Sequence, residues 1–121
     1  MFDHIGFEVS DLARSAAFYD AVFFALGVRR AHESAAAVAW GDNVPAFWIV
    51  ARGREPGPSY GHVALKARGR SAVDAAWRGG LAAGGVDDGA PGPRPNYGPR
   101  YYAAYLRDPD GLRVELVTGH A

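Results

Sequence analysis

Three widely separated side chains are of the types that bind a divalent metal: His4, His62 and Glu115. His4 opens the run His4-Ile5-Gly6-Phe7-Glu8-Val9, where Ile5, Phe7 and Val9 alternate with His4, Gly6 and Glu8, the period of a strand with one apolar face. His62 opens Gly61-His62-Val63-Ala64-Leu65-Lys66-Ala67 with a similar alternation, and Glu115 sits between Val114 and Leu116 in a third strand-like run. An ionised carboxylate among core strands is costly unless it is paired. Two neutral imidazoles and one carboxylate form a ligand set for a divalent ion, and the coordination positions they leave open are what a catalytic site requires. Each residue also has a plainer reading. The histidines can be surface or satisfied core groups, and Glu115 can pair with Arg113 or Arg107.

The elements that must position these residues follow from periodicity. Ser10 or Asp11 can cap a helix over 12–26 whose apolar positions Leu12, Ala16, Tyr19, Val22, Phe23 and Leu26 recur at three and four residues, with Gly27 as its stop. Strands over 28–33, 35–40 and 46–51 follow. The order then recurs, with a strand over 61–67 and a helix over 71–83 carrying Val73, Ala76, Trp77 and Leu81, weakened by Gly79-Gly80. A glycine- and proline-rich loop spans 87–100, and strands over 101–107 and 112–118 flank the turn Asp108-Pro109-Asp110-Gly111.

His4 and His62 lie 58 residues apart, as do the helix-ending glycines Gly27 and Gly85. That common offset predicts an α+β fold of two pseudo-symmetric βαβββ modules, at about 1–55 and 60–119, within one domain. It pairs Glu8 with Lys66, so a cross-strand ion pair between them is expected. Tyr101, Tyr102 and Tyr105 read as strand-packing residues, one or two of them facing the site, and His32 and His120 read as solvated. The prolines Pro93, Pro95 and Pro99 make the 87–100 loop either a mobile lid or a stiff wall.

Composition narrows the partners. The chain has 121 residues, 49% hydrophobic, enough for one core. Its 13 basic and 13 acidic residues cancel without long blocks, which argues against nucleic acid or an anionic membrane surface and for a small molecule. No apolar run approaches a membrane span and no signal-like segment opens the chain, so a cytoplasmic protein is expected. With no cysteine, thiolate ligands, disulfides and a thiol nucleophile are excluded.

The strings His4-Ile5-Gly6-Phe7, Asp11-Leu12-Ala13-Arg14-Ser15 with Phe18-Tyr19, Gly61-His62-Val63-Ala64-Leu65, and Asp108-Pro109-Asp110-Gly111 followed by Arg113-Val114-Glu115-Leu116 resemble the vicinal oxygen chelate superfamily, also called the glyoxalase/bleomycin resistance/dioxygenase superfamily. The resemblance implies a curved-sheet cup around a divalent metal, which a substrate chelates through adjacent oxygens. By position it assigns His4, His62 and Glu115 as ligands, with iron, manganese, zinc or nickel as the ion. It also implies a homodimer in which His4 of one chain meets His62 and Glu115 of the other.

The departures are specific. Glyoxalase I enzymes carry a further glutamate ligand on the last strand of the first module, where turn-to-turn alignment places Trp48 or Ile49 here. They tend to have a basic residue where this chain has Glu8, which points away from lactoylglutathione lyase activity. The remaining set is similar to that of extradiol dioxygenases and of fosfomycin-resistance thiol transferases. Within the implied cup, Tyr97 and Tyr101 are candidate proton donors, and Arg94 and Arg100 are candidate clamps for a carboxylate or phosphonate. Tyr102 and Glu8 are candidate substrate contacts. The other class the resemblance admits is a metal-free binding protein of the bleomycin-resistance type, sequestering a flat ligand.

Overall fold

The computed structural model describes residues 1–120. In chain order it has β1 (Ile5–Val9), α1 (Leu12–Ala25), β2 (Arg30–Glu33), β3 (Ala37–Trp40), β4 (Phe47–Ala51), β5 (His62–Lys66), α2 (Arg70–Ala82), β6 (Val86–Pro93), β7 (Tyr102–Arg107) and β8 (Arg113–Thr118). The strands form two four-stranded sheets, β1-β4-β3-β2 and β5-β8-β7-β6. In each, the first strand runs parallel to the last and the remaining neighbours are antiparallel. The expected pair of βαβββ modules is therefore present.

Local chemistry sets the boundaries. Asp11 caps α1, its carboxylate accepting from the Arg14 backbone N–H at 3.0 Å. One correction concerns residues 87–100, expected to be a loop. Its first half, residues 87–93, belongs to strand β6, which contains Pro91 and Pro93 and is bulged between Asp87 and Gly92. Prolines fit there because β6 is an edge strand, so the missing N–H groups interrupt no inner ladder.

Both helices pack on one side of the sheets and share a single core that includes Phe18, Tyr19, Val22, Trp40, Ile49 and Leu106. Gly80, which looked like a flaw in α2, permits this approach. A Cβ there would lie 2.5 Å from Leu106 Cδ1, 3.1 Å from Val22 and 3.2 Å from Phe18. The two modules are also latched by the Asp108–Gly111 turn. Ser10 donates its N–H and its hydroxyl to Asp110, and the Tyr19 hydroxyl donates to buried Asp108 at 2.6 Å. Asp108 accepts in addition from the backbone of Asp110 and Leu112, which closes the turn.

Two consequences bear on function. On the second module the face turned away from α2 is partly covered, with Ala103, Tyr105, Glu115 and Val117 buried, and β1 and β5 each pair with a neighbour on one side only, leaving their outer edges open. Among the described residues, no helix is long and apolar enough to cross a membrane.

Candidate functional site

On the second module, strand register brings the chemistry together. Ala64 of β5 pairs with Glu115 of β8, and Glu115 pairs with Tyr105 of β7. Side chains alternate across a strand, so His62, Glu115, Tyr105, Ala103 and Tyr101 share the face away from α2. His62, Tyr97, Tyr101, Tyr105, Arg113 and Glu115 line a cavity of about 250 Å³. Glu115 lies at its floor, 3% exposed. The Tyr101 hydroxyl donates to Glu115 Oε2 at 2.5 Å, and His62 Nε2 stands 3.2 Å from Glu115 Oε1. Burial, and then the neighbouring carboxylate, hold the Tyr101 phenol well above its ordinary range.

The suggested pairing of Glu115 with Arg113 or Arg107 is not formed. Both guanidinium groups go to Asp88, at 2.8 and 3.1 Å, and Arg113 lies 4.0 Å over the Tyr105 ring. The expected Glu8–Lys66 pair is not formed either. Glu8 accepts two bonds from Arg54, at 2.6 and 3.0 Å, with Arg52 at 3.7 Å. The physical reason is topological: β1 and β5 belong to different sheets and are not hydrogen-bonded neighbours, whereas the segment after β4 folds back onto Glu8.

The first module presents the pseudo-equivalent face. Gly6 pairs with Trp48 as Ala64 pairs with Glu115, so the register puts Trp48, not Ile49, at the counterpart of the carboxylate. Its indole lies 4.9 Å from the ring of His32 and 6.4 Å from that of His4. His32 is half-buried in this aromatic face rather than solvated. His4 is exposed and directs Nδ1 to Asp3 Oδ1 at 2.5 Å, a contact that orients the ring and leaves Nε2 free to coordinate. His4 and His62 both line a wider groove of about 510 Å³ between the modules, which Glu115 does not reach. Among the described residues, no three histidine, aspartate or glutamate side chains converge within one chain.

The other candidates divide. Tyr97 is 67% exposed and its ring stands 5.4 Å from that of Tyr101. Arg94 staples β6 to β7, Nη2 donating to the carbonyls of Ala90 and Ala103, while its buried Nε has no partner. Arg100 is exposed and outside the cavity lining. Tyr102 is turned to the opposite face, where its hydroxyl donates to Asp74 of α2 at 2.7 Å, which removes it as a substrate contact within this cup. His120 is exposed, as expected, and sets its ring edge-on to Tyr101 at 5.5 Å. Tyr105, read as a strand-packing residue that could face the site, and Arg113, read as a possible partner of Glu115, both line the cavity, as their strand parity with Glu115 requires.

Glu115 and His62 suit a divalent ion. They are an oxygen and a nitrogen donor already side by side, and the buried carboxylate has no guanidinium or ammonium counter-charge, only a phenol and an imidazole.

Comparison with known proteins agrees with this architecture. The model of the Glyoxalase/Bleomycin resistance protein/Dioxygenase superfamily matches residues 1–116. A glyoxalase/bleomycin resistance protein from Albidiferax ferrireducens T118 superposes with a TM-score of 0.83 at 30% identity, covering 97% of each chain. The fosfomycin resistance protein FosX from Mesorhizobium loti gives 0.71 at 22% identity, over 98% of this chain and 92% of that one. A glyoxalase I mutant from Zea mays gives 0.73 at 25% identity, over 94% of this chain and 44% of that one. No curated protein sequence matches the chain.

Proposed function

Because the chain belongs to the Glyoxalase/Bleomycin resistance protein/Dioxygenase superfamily, we propose that it is a divalent-metal-dependent enzyme acting on a small substrate with adjacent oxygens, as a cytoplasmic homodimer with two equivalent sites. The observation that carries this reading is the buried Glu115 carboxylate held 3.2 Å from the His62 imidazole at the floor of an open cavity, with no guanidinium or ammonium group paired to it among the described residues. His62 and Glu115 of one protomer would hold the ion together with His4 of its partner. The free edges of β1 and β5 and the groove that His4 and His62 both line are the surfaces such a pairing would close.

Bound there, a divalent ion would supply Lewis acidity to a chelating substrate. The remaining roles belong to the chain. Tyr97, at the rim, is placed to give or take a proton, and Arg113, which lines the cavity over the Tyr105 ring, supplies positive charge beside it. Arg94 is spent on the carbonyls of Ala90 and Ala103 and does not line the cavity. The half-cup of the partner would bring its Trp48 and His32 as an aromatic wall. A tryptophan at the counterpart of Glu115 leaves no fourth carboxylate ligand, which argues against the glyoxalase I reaction.

The same aromatic face favours the second reading, a metal-free protein that stacks a flat ligand on Trp48. Elemental analysis of protein purified without chelator, against Glu115→Gln, separates the two. Metal near one ion per chain, lost in the variant, supports the enzyme; equal and negligible metal in both supports the binder. Oxygen uptake with catechols against thiol consumption with an epoxide then distinguishes dioxygenase from transferase chemistry.

A further inference from the structure

We infer that Tyr101 is a positioning residue for the metal-binding carboxylate, its hydroxyl fixing Glu115 so that Oε1 alone is presented to the ion. The inference rests on the metal reading above and assigns Tyr101 a role different from proton donor. The hydroxyl already donates to Glu115 Oε2 at 2.5 Å, while Oε1 faces His62 at 3.2 Å, so the two carboxylate oxygens have separate partners. Nothing charged competes for Oε2, because Arg107 and Arg113 are both engaged by Asp88. A buried carboxylate that loses its donor both reorients and becomes costly, which is why outer partners of metal ligands matter nearly as much as the ligands.

The phenol ring also has two aromatic neighbours. Tyr97 packs at 5.4 Å from it and His120 at 5.5 Å. His120 reaches that position because Gly119 adopts φ +76°, and a Cβ there would run into the Arg100 carbonyl oxygen. The segment before β7 and the residues that follow β8 thus both bear on the orientation of one ligand.

The test is Co(II) binding to the full-length wild type, Tyr101→Phe and Tyr102→Phe, with affinity and the visible d–d spectrum as readouts. Tyr101→Phe is expected to bind about 10–100-fold more weakly, with altered bands. Tyr102→Phe, which deletes an adjacent hydroxyl bonded on the opposite face, is expected to match the wild type. Equal affinity and spectra for Tyr101→Phe, or an equal loss in Tyr102→Phe, would overturn the inference while leaving the metal reading intact. Failure of the wild type to bind Co(II) would overturn the metal reading, and the inference with it. Should Tyr101→Phe not fold, His120→Ala, which removes an exposed ring packed on Tyr101, decides: weaker binding with altered bands supports the role of the supported ring, unchanged binding refutes it.

Discussion

His62 and Glu115, 53 positions apart in the chain, meet at 3.2 Å because β5 and β8 are parallel neighbours with Ala64 opposite Glu115. Two donors are thereby fixed on one sheet, whereas His4 is carried by the other. The site divided in this way makes a prediction about stoichiometry. Protein bearing His4→Ala and protein bearing His62→Ala should each bind no metal, but coexpressed chains should recover about a quarter of the wild-type sites if subunits pair at random. Metal analysis of the mixed dimers reads this directly; no recovery would mean that each site is built within one chain.

The latch between modules should matter for stability. Tyr19→Phe removes the donor from a carboxylate buried with it, so we expect a loss of about 1–3 kcal/mol in chemical unfolding. An unchanged unfolding midpoint would show that the turn closes without Tyr19.

Gly80→Ala tests the helix contact. The added methyl would stand 2.5 Å from Leu106 Cδ1 with Val22 and Phe18 close behind, so overpacking should outweigh the gain in helix propensity. The expected cost is about 1–3 kcal/mol, read from thermal unfolding. A rise in melting temperature would contradict it.

The ion pair of Asp20 and Arg30 supplies a pH dependence. The Arg30 guanidinium, bound through two nitrogens, holds the Asp20 carboxyl below its ordinary value, with help from the Trp40 indole N–H. A depressed carboxylate favours the folded state above the unfolded-chain value, near about pH 4, and that contribution disappears as pH falls through the lower folded value. Wild type should therefore exceed Asp20→Asn at neutral pH by less than about 1 kcal/mol, since the pair is largely solvated, and the gap should close on acidification. A gap that widens below pH 4 would reverse the assignment.

The alternation around His4 and His62 and their common offset with Gly27 and Gly85 were enough to read the duplicated βαβββ architecture, because period and spacing are local properties of the chain. The face on which Glu115 lies was legible for the same reason. Its partners were not. Which of Tyr101, Arg113 or Arg107 reaches a carboxylate depends on bulges in β6 and on Asp88 drawing both arginines away, and neither is visible in a one-dimensional pattern. Likewise Glu8 went to Arg54 rather than Lys66, Gly80 proved to be a packing requirement, and Tyr102 turned toward α2. Residue order determined which side chains each strand presents; only the packing of the two sheets decided which of them share a pocket, since distances between strands arise from hydrogen-bond register and helix contact rather than from separation along the chain.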